Sequence, residues 1–260
     1  MIGACLAATL TAGAFASAGA SASGTLPALY ECAKVKPKGT GRYNKGCLVE
    51  GKHGVGENDY EVKEGFGKGK AFKAKGGGAN LEVESVGGID CAKSSATAKF
   101  NSPTTGDDVV ATFGDCEYSG HKCSSAGATT GTIVTKALKG EVGYLSDAEL
   151  LSPKVGVAFS PESGEVLAAF VCGPFVFEVT GASIAEVTPV NKFGKEAVFS
   201  FRQKRIGVQE WQSFEGGPEQ ALRVWACEDC SKPHGESGTY FNADEQLEIT
   251  AKTENLELKA

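Results

Sequence analysis

Eight of the nine cysteines follow an apolar, alanine-rich N-terminal stretch, and together these features limit what the chain can become. Met1 to Ala22 runs through small and apolar residues and offers small-x-small cleavage sites after Ala18, Ala20 and Ala22, the pattern of a signal peptide. A signal peptide also has a basic n-region, and no Lys or Arg precedes Lys34, which predicts a start upstream of Met1. A membrane anchor would need ~20 strongly apolar residues, whereas this run is short and interrupted by Gly, Ser and Thr. Ile2-Gly3-Ala4-Cys5 also resembles a lipoprotein box with Cys5 as the lipidated residue, but the apolar run continues past Cys5. The expectation is therefore a secreted, extracellular protein with no stable membrane span after cleavage. Its remaining cysteines, Cys32, Cys47, Cys91, Cys116, Cys123, Cys172, Cys227 and Cys230, form disulfides, as the oxidising compartment favours.

Eight thiols can pair in 105 ways, and spacing sets preferences among them. Cys32 with Cys47 closes a short loop, for which loop entropy predicts ~3 kcal/mol of stabilisation. Cys116 and Cys123 flank the polar run Glu117 to Lys122 and read as a bridge across a turn, which leaves Cys91 with Cys172 as a long-range bridge. Cys227 and Cys230 complete the set as a small-ring disulfide.

Removal of residues 1–22 leaves enough chain to bury ~70% of its unfolded surface in one large domain. With 35 glycines, 41% apolar and 22% charged residues, the composition favours many turns and short strands. Period-two alternation supports this. Leu81 and Val83 alternate with Glu82 and Glu84, and Ala96, Ala98 and Phe100 alternate with Thr97 and Lys99. Similar segments at 109–113, 132–135, 138–144, 155–159, 166–172, 175–179, 197–201, 222–226 and 246–252 bring the total to about eleven strands. Val166 to Cys172 is apolar in both phases and is expected to be buried on both faces. Helix signals are scarce. Ser146 and Glu149 form a capping box, but Pro153 ends that helix within two turns, so one or two short helices at most are expected. The fold class is all-β, a disulfide-stabilised sandwich or barrel.

Charge divides the chain. The net charge is -6, yet residues 34–75 carry eleven Lys or Arg against five Asp or Glu, and the rest is strongly acidic. The expected organisation is a leader at 1–22, a basic Gly/Lys-rich subregion with a disulfide loop at 23–75, and a β-rich domain at 76–260. Gly65 to Gly78, ending in a glycine triplet, reads as a loop or hinge. The basic segment either docks on the acidic remainder or meets an anionic cell-wall or polysaccharide surface. Its Tyr43, Tyr60, Phe66 and Phe72 follow no RNP-like or zinc-finger pattern, so nucleic acid is not expected as a partner.

Catalytic templates fail one by one. Cys227-Glu228-Asp229-Cys230 has thiol-exchange and zinc readings, but the two acids between the sulfurs disfavour a thiolate, and His234 alone follows where zinc needs further ligands. Gly235-Glu236-Ser237-Gly238-Thr239 has Thr239 where a nucleophile elbow has glycine. Gly65 to Ala71 lacks the first glycine of a phosphate loop and its Ser or Thr. His53, His121 and His234 are far apart, in polar stretches. The carboxylate clusters Asp107-Asp108, Glu57 with Asp59, and Asp147 with Glu149 sit in turn or capping contexts. Trp211 and Trp225 read as packing residues more than as sugar platforms. No catalytic residue, metal ligand or cofactor site emerges.

Val109 to Glu117, Cys123 to Gly127, Gly131 to Gly140 and Gln212 to Gly217 resemble uncharacterised secreted β-rich proteins of soil actinobacteria. The resemblance covers most of residues 30–225 and implies a class and a compartment, but no chemistry. The functional expectation is a secreted or cell-surface-associated binding or structural protein without an evident catalytic site. The alternative is a secreted polysaccharide hydrolase that uses two loop carboxylates.

Overall fold

The computed structural model describes residues 26–47, 58–65, 71–145, 153–215, 217–228, 230 and 238–260, and within them the chain is almost wholly β. Nineteen strands occur there, more than the eleven that alternation suggests, and no α-helix. The expected helix at Ser146 lies outside the described residues.

β1 (Ala28–Lys34) and β2 (Tyr60–Glu64) form a hairpin-like pair at the N-terminus. The strands that follow build eight long staves in chain order. β3 (Ala71–Val83) is the first. β4 (Gly87–Cys91) and β5 (Lys93–Phe100) run end to end as the second, antiparallel to β3 along its length. β6 (Thr105–Gly114) and β7 (Glu117–Tyr118) make the third. β8 (His121–Ser124), β9 (Thr132–Val134) and β10 (Leu138–Tyr144) make the fourth. β11 (Val155–Pro161) with β12 (Val166–Cys172), then β13 (Phe175–Thr180) with β14 (Ser183–Thr188), supply the fifth and sixth. The seventh is β15 (Gly194–Phe201) continued by β18 (Leu222–Glu228), interrupted by the small hairpin β16 (Gln203–Arg205) and β17 (Val208–Gln209). β19 (Thr239–Lys259) is the eighth, bonded to β15 and β18 on one side and to β3 on the other.

The last stave therefore pairs with the first, and every neighbour is antiparallel: the fold is a closed up-and-down barrel. Closure removes the unpaired edges an open sheet would present. β1 extends the wall by pairing with the end of β19, from Ala28↔Lys259 to Glu31↔Leu256, so the described part of residues 23–75 belongs to the same sheet.

Alternation along each stave sends apolar side chains inward. Leu247, Ile249 and Ala251 face the interior from β19, and Ala197, Phe199 and Phe201 from β15. The outward phase carries exposed Lys73, Lys75, Lys93, Lys99, Glu248 and Lys252. This polarity is the reverse of a membrane-spanning barrel, whose apolar band faces outward. Among the described residues no helix is long and apolar enough to cross a membrane.

Three sequence expectations are corrected. Gly76 to Gly78 is not part of a hinge but the middle of β3. A Cβ on Gly76 would lie 2.6 Å from the Glu248 carbonyl oxygen and against the Ser94 hydroxyl, where the β19–β3 register shifts at Leu247/Ile249, so this close approach requires glycine. β12 is buried on one face only. Val171 points outward and is 46% exposed, because a barrel wall has a single interior. The cysteines between strands pair as Cys91–Cys116 and Cys123–Cys172, not Cys116–Cys123 and Cys91–Cys172. Register explains this: Asp90 opposes Glu117 and Lys93 opposes Gly114, which sets Cys91 beside Cys116, while Cys172 lies directly opposite Cys123. The remaining pairs are Cys32–Cys47 and Cys227–Cys230.

Candidate functional site

Large side chains close the two ends of the barrel, and small ones line its middle. At the β1 end, Phe72 and Phe100 meet edge to face with centroids 4.4 Å apart, over Leu29, Leu256 and Leu258. At the other end, Phe170 stacks on Phe177 at 5.3 Å, with Tyr118 packed edge-on against Phe177. Between these plugs the inner rows carry Ala74, Ala96, Ala98, Ala111, Gly140 and Ala251. Short side chains on several staves at one level cannot meet across an eight-stranded barrel, whose interior side chains otherwise just fill. The result is an apolar cavity of about 210 Å³. Phe159, Phe199 and Phe201 lie along its wall, with Phe159 5.8 Å from Phe201 and 6.3 Å from Phe199. The lining continues to Pro189, Lys192 and Glu196, all exposed, so the cavity reaches the surface beside the β14–β15 turn.

One acid occupies this interior. β19 alternates Ala243, Glu245, Leu247, Ile249 and Ala251 on its inner phase, which places the Glu245 side chain among apolar neighbours. Glu245 is half-buried in the cavity lining, and loss of water pushes its carboxyl up to about 7, although a hydrogen bond from Ser183 opposes the shift. Ser183 in turn accepts a 2.8 Å hydrogen bond from Gln209 Nε2. Gln209 is only 2% exposed, and its Oε1 is buried with no hydrogen-bond partner among the described residues.

The element that holds Gln209 is anchored from the outer face of the same strand. Asp244 is completely buried beneath the β16–β17 hairpin. Its Oδ2 accepts hydrogen bonds from the Gly207 backbone N–H at 2.7 Å and from Gln203 Nε2 at 2.9 Å, while burial raises its carboxyl above the usual range. Adjacent acids on β19 thus serve opposite faces. Asp244 ties down a hairpin, and Glu245 looks into the cavity.

The residues singled out by sequence are elsewhere. Asp107 accepts from Asn101 and Asp108 pairs with Lys99 near the start of β6, and Asp59 accepts from the Gly39 backbone N–H. Glu57, Asp147, Glu149, His53 and His234 lie outside the described residues. His121 is on β8, its ring 6.4 Å from that of Phe175. Trp225 is 2% exposed, packed under Gly238, and Trp211 packs against Leu145, Ala158 and Ile184 on the outer wall, with Lys154 Nζ 5.0 Å from its ring. Among the described residues no three His, Cys, Asp or Glu cluster as metal ligands. The acids of the cavity lining are Glu245 and Glu196. Glu196 opposes Lys252, seven positions from Glu245 along β19, or about 20 Å at strand rise, well beyond the ~5 to 9.5 Å of a glycosidase pair. Glu245 had a sequence signal: it is an acid in the apolar phase of the strand Ala243 to Ala251, overlooked beside Asp244 and Glu248. No family model, curated protein or solved structure matches this chain.

Proposed function

We propose that this protein is an extracytoplasmic binding protein that holds a small apolar molecule inside its barrel. The observation that carries the proposal is the alanine-walled cavity of about 210 Å³, which lies between two aromatic clusters and reaches the surface at Lys192. An apolar void of roughly 150 Å³ already admits benzene. Four disulfides, which persist in oxidising compartments, support the location. Isothermal titration with ethylbenzene tests the proposal. Saturable one-to-one binding is expected, together with its loss in Ala98→Leu, whose added methylenes fill the space while the barrel stays folded. A folded wild-type protein that takes up no ethylbenzene would overturn it.

A second reading is favoured by the exposed, consecutive cations Lys34, Lys36 and Lys38 at the end of β1. This face suits an anionic wall polymer or acidic polysaccharide, held by charge and released by salt. The protein should sediment with purified anionic cell wall at ~20 mM salt and return to the supernatant at ~500 mM, where the Debye length falls below ~5 Å. Retention that ignores salt would count against it.

A further inference from the structure

The polar cluster in the cavity has a direction. Gln209 Nε2 donates to Ser183, and the Ser183 hydroxyl donates to Glu245. Both donors are therefore committed, and what the cluster turns to the cavity is the Glu245 carboxyl, while Gln209 Oε1, outside the cavity lining, is buried without a donor among the described residues. A buried acceptor left without a donor is unfavourable, and a buried carboxylate without a counter-charge more so. The other charged groups of the lining, Lys192 and Glu196, stand at the exposed mouth, and Asp244 is on the opposite face of β19. Nothing else in the lining offers Glu245 a cation.

Resting on the reading of the cavity as a ligand site, we infer that its ligand is a small apolar amine, with the hydrocarbon body against the alanine and phenylalanine wall and the ammonium group on the Glu245 carboxylate. An ammonium supplies both things the cluster lacks, N–H donors and a positive charge. A neutral alcohol supplies only the first, and a carboxylic acid brings a like charge. Since burial holds the proton on the Glu245 carboxyl up to about pH 7, an amine competes with that proton and binding strengthens as the pH rises through neutrality.

Four probes of equal girth separate these alternatives on the full-length protein: 2-phenylethylamine, 2-phenylethanol, ethylbenzene and 3-phenylpropionate, titrated at pH 7.5 and 5.5. A charge-assisted hydrogen bond predicts that the amine binds about tenfold or more tighter than ethylbenzene at pH 7.5, and that 3-phenylpropionate does not bind. Between pH 7.5 and 5.5 the amine should weaken by about tenfold or more while ethylbenzene is unchanged. In Glu245→Gln the advantage of the amine over ethylbenzene should vanish, with the circular dichroism spectrum reporting an intact barrel. If that variant does not fold, the wild-type pH dependence decides. An amine that binds no tighter than ethylbenzene, or an affinity indifferent to pH, overturns the inference and leaves the apolar cavity standing. Failure of all four probes to bind overturns the cavity reading itself.

Discussion

Glu245 shows how a single residue can set a property of the whole protein. In the unfolded chain its carboxyl titrates near 4.5, and in the barrel near 7. Between those values the folded protein holds a proton that the unfolded chain has released, so stability falls as the pH rises. The contribution is fully present below about pH 4.5, is lost progressively up to about pH 7, and stays lost above it. The gap corresponds to at most about 3 kcal/mol. Glu245→Gln keeps the shape of the side chain and removes the titration. The two proteins should therefore unfold alike in urea at about pH 4, and the Gln variant should be the more stable by up to about 3 kcal/mol at pH 8. Asp244 and Glu257, whose carboxyls burial also raises, are common to both proteins and drop out of the comparison. A stability difference that did not grow with pH would mean that Glu245 is not held in a water-poor interior.

Elements were legible where alternation is strict and obscure where it is broken. Every segment expected from period-two patterning overlaps a strand, running one residue past it at Glu84 and Thr135, because a wall with one wet and one dry face imposes that pattern on sequence. The missed ones have specific causes. β14 reads Ser183-Ile184-Ala185-Glu186-Val187, and its outward Ile184 is covered by Trp211 and Phe214, which erases the polar phase. The first half of β3 is hidden by its glycines, and β4 by Gly87 and Gly88. Bulges between Thr97 and Lys99, or between Val166 and Ala168, shift the phase within a stave and make one long wall element look like several. Alternation also assigns faces, not partners. It therefore supports a sandwich as well as a barrel, and only the Val83↔Ala243 to Ala74↔Ala251 pairing of the first and last staves decides for closure. The cavity was invisible for a related reason. Alanines from different staves reach the same level only through the register, and each taken alone reads as an ordinary small core residue.

At the scale of the molecule the disulfides differ in what they hold together. Cys227–Cys230 spans a separation of 3 residues at the end of β18, and Cys32–Cys47 one of 15 in the appended N-terminal part. Cys91–Cys116 and Cys123–Cys172 span 25 and 49 residues, and each ties neighbouring staves of the closed wall. Loop-closure entropy rises with the logarithm of the enclosed length, which gives roughly 1.6, 3, 3.5 and 4 kcal/mol for the four bridges in that order. Packing sharpens the ranking, because Cys123 and Cys172 are fully buried in the aromatic end of the barrel, where their replacement also leaves a void. Removing the bridges one at a time as Cys→Ala pairs should therefore destabilise the protein in the order Cys123/Cys172, Cys91/Cys116, Cys32/Cys47, Cys227/Cys230, as read from urea unfolding of the oxidised variants. The ethylbenzene affinity of the folded fraction should be unchanged in the Cys227/Cys230 variant, since that pair lies outside the cavity lining. Loss of Cys227–Cys230 that destabilised the protein as much as loss of Cys123–Cys172 would contradict a barrel whose closure, and not the local bridge at the end of β18, organises its stability.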